Sequence, residues 1–256
     1  MRNILITLSY DGTDFAGWQK GAKNAAGTPL RTVQGELEAS LATIHGSATV
    51  VNGSGRTDSG VHALAQAANF VSPNDNIPVR NYVTALNSLL PHDIRIHDSR
   101  EVPPDFHARF SAKNRTYKYF LQSAMPSAHE MRYVWHIRRS PDIATLNDMA
   151  SVLLGEHDMS SFCASGDMSR SKNRFVKKAS FSIVPAQAIY DEKICFEICA
   201  NAFLWNMVRT ITGTLIEAEK KGFDRTYFAT VLQKKDRTKA GITAPPQGLF
   251  LSEVVF

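Results

Sequence analysis

Apolar residues recur along this chain in two rhythms, one of period two and one of period three to four, and their alternation sketches the elements. Residues 4–10 alternate as a strand that ends at the turn signal Asp11-Gly12. A helix is predicted after Thr32, with Val33, Leu37, Leu41 and Ile44 on one face and Gly46 as its stop. Residues 48–51 read as a short strand and residues 64–71 as a longer one. From Pro78 a second helix carries Val79, Tyr82, Val83, Leu86 and Leu90 at helical spacing, and Ile94 and Ile96 open another short strand. Strand, helix, strand, strand, helix, strand is the order of a split βαβ unit, an antiparallel sheet covered by helices.

The order then recurs loosely, without a repeat of sequence. Residues 117–121 read as a strand, 146–154 as a helix, 176–184 and 193–199 as strands, and 203–220 as a helix ended by Gly222. A shorter helix over 224–234 precedes a final strand over 249–255. The expectation is two α+β domains, 1–104 and 105–256, with the switch near Pro103-Pro104.

Composition narrows the setting. A chain of 256 residues with 43% hydrophobic and 21% charged residues can bury a substantial core. No apolar run is long enough to span a bilayer, and the first residues read directly as a strand, so we expect a cytoplasmic protein with no membrane partner. Three cysteines fit a reducing compartment. Cys195 and Cys199 share a strand face about 13 Å apart, too far for a disulfide. No Cys-x-x-Cys or His-x-x-x-His pairing is present, and we expect no metal.

The net charge of +5 permits a polyanionic partner. Its distribution adds to that: Arg170, Lys172, Arg174, Lys177 and Lys178 form one cluster, Arg109, Lys113, Arg115 and Lys118 a second, and Lys234, Lys235, Arg237 and Lys239 a third. Each cluster alone reads as a solvated face. Together they favour nucleic acid.

Candidate chemistry centres on Gly53-Ser54-Gly55-Arg56-Thr57-Asp58-Ser59-Gly60-Val61-His62-Ala63, which sets a carboxylate beside a guanidinium in a backbone loosened by glycine. A polar turn with a solvated Arg56 and a capping Asp58 accounts for the loop equally well on local composition. His62 entering a strand reads as hydrogen-bonded structure rather than as a base.

Other segments break the tie. They are Tyr10-Asp11-Gly12-Thr13-Asp14-Phe15-Ala16-Gly17-Trp18-Gln19, Phe106-His107-Ala108-Arg109-Phe110 with Arg115-Thr116-Tyr117-Lys118-Tyr119, and Asn201-Ala202-Phe203-Leu204-Trp205-Asn206-Met207-Val208-Arg209. With the Asp58 loop, and in this order along nearly the whole chain, they resemble the TruA family of tRNA pseudouridine synthases. The resemblance implies isomerisation of uridine to pseudouridine at positions 38, 39 and 40 of the tRNA anticodon stem-loop, without cofactor or metal. It implies a pseudouridine synthase fold, in which two ferredoxin-like halves join into an extended antiparallel sheet with helices on one side and a central basic cleft. It also implies a homodimer.

By match to the family motifs, Asp58 is the catalytic carboxylate, Arg209 the arginine that pairs with it, and Tyr117 the active-site tyrosine. Arg56 is implied to fill the space left by the extracted base and Leu249 to pack beneath that base. We add Arg170, Lys172 and Arg174 as candidate RNA contacts. The reaction breaks the C1′–N1 bond, turns the uracil and joins C1′ to C5, so the base must first leave its stack. An ionised Asp58 suits either attack on C1′ or stabilisation of a transient sugar species with uptake of its proton. The tyrosine ring can stack on the base and its hydroxyl can assist loss of the C5 proton. A binding module without chemistry, or a hydrolase using Asp58, fits less well, since neither calls for this residue set. One departure stands out: the loop over 21–31 is longer than the family's short connection at that point.

Overall fold

The computed structural model describes residues 1–21, 23–188 and 190–256. The chain forms two compact units, Met1–Lys113 with Phe250–Phe256, and Asn114–Leu249. Among the described residues are ten strands and five α-helices, a mixed α/β content, and no helix is long and apolar enough to cross a membrane.

The first unit contains β1 (Arg2–Tyr10), α1 (Val33–His45), β2 (Asn52–Gly53), β3 (His62–Ser72), α2 (Asn81–Leu89) and β4 (Ile94–Val102). β1 lies between β3 and β4, antiparallel to both. Ile4, Ile6 and Leu8 are fully buried, and Ile4 stands opposite Phe70 of β3. Phe70 in turn meets the ring of Tyr82 from α2 and of His45 from α1, which puts the helices on that face. Each such fully buried apolar side chain contributes about 1.5–3 kcal/mol. Leu5, out of phase with its neighbours, points to the other face and packs with Ala67, Ala108, Phe106, Val254 and Phe256. α1 starts where its sequence says it should: Thr32 Oγ1 accepts the Gly35 N–H, and Gly46 closes the helix in the left-handed region at φ 68°.

The second unit contains β5 (Asn114–Gln122), β6 (Trp135–His136), α3 (Ile143–Ser151), β7 (Gly155–Asp158), β8 (Asn173–Val184), β9 (Lys193–Ala200), α4 (Met207–Lys220) and α5 (Arg225–Lys234). β5, β9, β8 and β7 pair antiparallel in that order, and β6 runs parallel to the end of β5. The last strand, β10 (Leu249–Val255), carries the chain back to the first unit, where Phe250 and Leu251 pair parallel with His62 and Ala63.

Several boundaries differ from the sequence reading, each for a local reason. The division falls after Lys113 rather than near Pro103-Pro104, because the segment over 103–111 is held against the first unit. Asn3 Nδ2 donates to the carbonyls of Pro103 and Phe106, and Ala108 N–H donates to Asn69 Oδ1. The strand expected over 48–51 is replaced by the two-residue β2 that follows it directly, where Asn52 and Gly53 meet Asn69 and Ala68. β4 runs nine residues because its polar second half still pairs with β1. α4 begins at Met207 rather than near residue 203, since Trp205 N–H bonds Asp167 Oδ2 and Asn206 takes a left-handed conformation. β6 and β7 are too short to show a period.

α4 is approached closely by the segment over 241–244. A Cβ at Gly213 would collide with the carbonyl oxygen of Ile242. Thr214 Oγ1 accepts the Gly241 N–H, and the Ala244 N–H donates to the Arg209 carbonyl. Gly213→Ala should therefore destabilise the chain by about 1–3 kcal/mol, read as a lower midpoint in thermal or urea unfolding.

Candidate active site

Thr57 anchors the Asp58 loop from within. Its hydroxyl pairs with the Tyr10 hydroxyl at 2.8 Å, and its carbonyl accepts the Trp18 N–H at 3.0 Å. Gly17, at φ 97°, lies beneath that carbonyl, and a Cβ there would stand 2.5 Å from the Thr57 oxygen. The Phe15 carbonyl accepts from Ser59 Oγ and from the Gly60 N–H. Tyr10 to Trp18 and the Asp58 loop are thus two layers of one structure. Asp58 is half-buried, its backbone carbonyl accepting the Val61 N–H, while Arg56 is exposed.

The other end of the loop rests on Gln66, which is fully buried. Its Oε1 accepts from Ser54 Oγ at 2.7 Å and its Nε2 donates to the Gly55 carbonyl at 2.9 Å. Sequence reasoning passed over Gln66, although an amide within the run Ala65-Gln66-Ala67-Ala68 was a readable signal. His62 is built into the fold. Its imidazole is buried, stacks on Phe250 with centroids 4.6 Å apart, and accepts the Gly12 N–H at Nδ1.

In the second unit, Arg209 sits in the first turn of α4. Its Nε donates to the Ala244 carbonyl at 2.8 Å and its Nη1 to Asn206 Oδ1 at 3.0 Å. Asn206 therefore gives its side chain to Arg209 instead of capping the helix, and makes no side-chain cap bond. Tyr117 is buried on β5, edge-on to Phe203 with centroids 4.9 Å apart. Tyr119 is the more deeply buried tyrosine of this strand. It is fully buried, its hydroxyl donates to the Pro245 carbonyl at 2.6 Å, and burial pushes its phenol far above the ordinary range against the opposing charge of Arg209. Leu249 opens β10 and is buried.

A family model for tRNA pseudouridine synthases matches residues 6–111 and 149–256. The chain belongs to that family. It is 53% identical over 256 residues to tRNA pseudouridine synthase A of Treponema denticola, covering 100% of this chain and 93% of that protein. The enzyme of the same name from Treponema pallidum is 50% identical over 244 residues, covering 94% of this chain and 84% of its own. That of Caldicellulosiruptor saccharolyticus is 41% identical over 262 residues, covering 100% of both.

Within this pseudouridine synthase family member the basic clusters divide. Lys172 Nζ lies 2.7 Å from Asp167 Oδ1, and Arg174 Nη1 donates to the carbonyls of Ser171 and Asn173. Arg115 is buried, donating to the Asn201 carbonyl. Lys178 pairs with Glu197. Arg170, Lys177 and Arg109 are exposed. In the long loop over 21–31, Ala22 lies outside the described residues. Lys23 to Pro29 form a tight turn about Asn24, whose Oδ1 accepts the N–H groups of Ala26 and Thr28. Arg31 closes it, bidentate to Asp93 and over the ring of Phe15. A notch lined by Thr145, Asp148, Glu219 and Phe223 holds none of the expected site residues.

Two outcomes test this geometry. Asn206 stands at φ 62°, where a non-glycine residue without the polar side chain of Asn is strained, so Asn206→Ala should be less stable than Asn206→Gly by about 1 kcal/mol in chemical denaturation. Asp167 is the second. Its partial burial raises its pKa, but Lys172 and the N–H groups of Trp205 and Ser169 outweigh that and hold it well below the ordinary range. A depressed folded pKa gives stability that is present above the unfolded value of about 3.9 and is lost as pH falls below it. Asp167→Asn should lower stability at neutral pH and flatten the acid limb of a melting profile taken below about pH 4.

Proposed function

We propose that this chain isomerises uridine to pseudouridine in tRNA, at positions 38, 39 and 40 of the anticodon stem-loop, with Asp58 as the catalytic carboxylate. The observation that supports it most is the anchoring of the Asp58 loop at Thr57 and Gln66, which gives a half-buried carboxylate a backbone that costs little to order at the moment of reaction. The family membership supplies the reaction class.

The chemistry follows from the atoms. The C1′–N1 bond breaks, N1 takes a proton, the uracil turns, C5 bonds to C1′, and C5 loses its proton. Asp58 serves either as nucleophile at C1′ or as the charge that steadies the sugar and accepts its proton. The Tyr117 ring offers a stacking face and its hydroxyl a route for the C5 proton. Arg209 supplies a fixed positive charge on a helix turn, and Arg56, exposed on the same loop as Asp58, fills the stack that the base vacates. Leu249 packs beneath the base, and Arg170, Lys172 and Arg174 line the RNA-binding face, Arg170 as its exposed cation and Lys172 and Arg174 as cations held in place by Asp167 and by backbone carbonyls. Two ferredoxin-like halves, a homodimer and a cytoplasmic location complete the reading. No cofactor takes part in it.

Carbodiimide mapping of tRNA incubated with wild type and with Asp58→Asn tests the proposal. Wild type should place pseudouridine at 38 to 40, and the variant should lose activity by on the order of 10⁴ or more. Modification only at other positions overturns the site assignment on the tRNA, and a variant with the wild-type rate overturns the role of Asp58.

A further inference from the structure

Phe110 is 77% exposed, yet the turn that carries it is hydrogen-bonded to buried side chains of the first unit. Asn3 and Asn69, both buried, bond to each other and to the backbone of the turn at Pro103, Phe106 and Ala108. Phe106 and Ala108 point inward, into the cluster with Leu5 and Phe256. The N–H groups of Phe110 and Ser111 both donate to the His107 carbonyl, and Ser111 Oγ accepts the His107 N–H. An exposed phenyl ring on a floppy loop is unremarked surface. One held outward by a hydrogen-bonded turn has forgone the stabilisation of burial at a place where the backbone is not free to tuck it away.

Its neighbours are the second observation. The His107 ring lies 4.5 Å from the Phe110 ring, centroid to centroid, and the Arg109 guanidinium carbon lies 5.7 Å from the Phe110 centroid. His107 Nδ1 accepts the Arg109 N–H, which leaves Nε2 as the protonated nitrogen of the neutral ring, a donor. An aromatic face flanked by a guanidinium and an imidazole donor is the chemistry that takes an unpaired nucleobase, by stacking, with its phosphate or an acceptor edge met by the cation. A protein partner would call for a wider apolar surface around the ring.

We propose that Phe110, with Arg109 and His107, is a stacking platform for an unpaired base of the bound tRNA. The inference rests on the tRNA-directed reading above. It adds a binding residue that needs no part in the chemistry of Asp58.

The test uses the full chain. Affinity for fluorescently labelled tRNA and steady-state pseudouridine formation are measured for wild type, Phe110→Ala, Phe110→Leu and Phe110→Tyr, with molar mass from light scattering. Phe110→Ala and Phe110→Leu should bind about tenfold more weakly and raise KM with little change in kcat, whereas Phe110→Tyr should stay within about twofold of wild type. The dependence of log Kd on log salt should keep its slope in all three, because a ring releases no counterions. Wild-type affinity in Phe110→Ala, or in Phe110→Leu, overturns the platform. So does a change in molar mass on Phe110→Ala without loss of tRNA affinity, which would seat a second copy of this chain on the ring. If wild type makes no pseudouridine while the Phe110 variants still lose tRNA affinity, the activity reading falls and the platform stands. If wild type is active and Phe110→Ala matches it in both affinity and KM, the platform alone falls.

Discussion

The carbonyl and hydroxyl of Thr57 together fix where Asp58 can stand. Trp18 N–H holds the one and the Tyr10 hydroxyl the other, so the residue before the carboxylate is bound at backbone and side chain at once. That arrangement demands Gly17 at its positive φ, because any Cβ would press on the Thr57 oxygen. It also demands that β1 end at Tyr10, since the strand delivers the hydroxyl. Gln66 then fixes the opposite end of the loop from inside β3. A carboxylate placed this way has the cost of ordering its backbone met during folding.

The second unit solves a like problem with a helix. Arg209 could swing on a long flexible stem, but Ala244 and Asn206 hold its guanidinium at two nitrogens. The hold depends on the segment over 241–244 lying against α4, which Gly213 and the buried hydroxyls of Thr210, Thr212 and Thr214 permit. Three threonines in one helix are poor helix formers by propensity. Here Thr212 and Thr214 hydroxyls return to the helix's own carbonyls and Thr214 also receives Gly241, so their polar atoms are satisfied in the core.

Legibility in the sequence followed signal length. α1 was readable to the residue, since its cap, its apolar face and its stop glycine all speak in adjacent positions. The start of α4 was not, because Phe203, Leu204 and Met207 continue the helical rhythm while a single long-range bond from Trp205 to Asp167 breaks it. The division between units was misplaced for the same kind of reason. Two prolines mark a turn, but the amides of Asn3 and Asn69, distant in sequence, decide which side of the boundary that turn belongs to. Of the candidate site, the chemical groups were legible as motifs. Their supports, Gln66, Asn206 and Thr57, were not, since a supporting role is defined by a partner and not by a residue type.

The basic clusters carry that point furthest. Lys172 falls in the densest run of cations, yet its ammonium is committed to Asp167, and the same carboxylate takes the Trp205 N–H. A phosphate approaching Lys172 must compete with a carboxylate already in place, and so releases fewer counterions than a solvated lysine would. Arg115 is committed to the Asn201 carbonyl in the same way. Arg170 and Lys177 sit in the same run as Lys172 and are exposed, so their charge faces solvent. A run of positive charge in the sequence thus contains both cations tied into the fold and cations turned to solvent. Only the neighbours of each cation, which folding brings from elsewhere in the chain, set how much of its charge is already met.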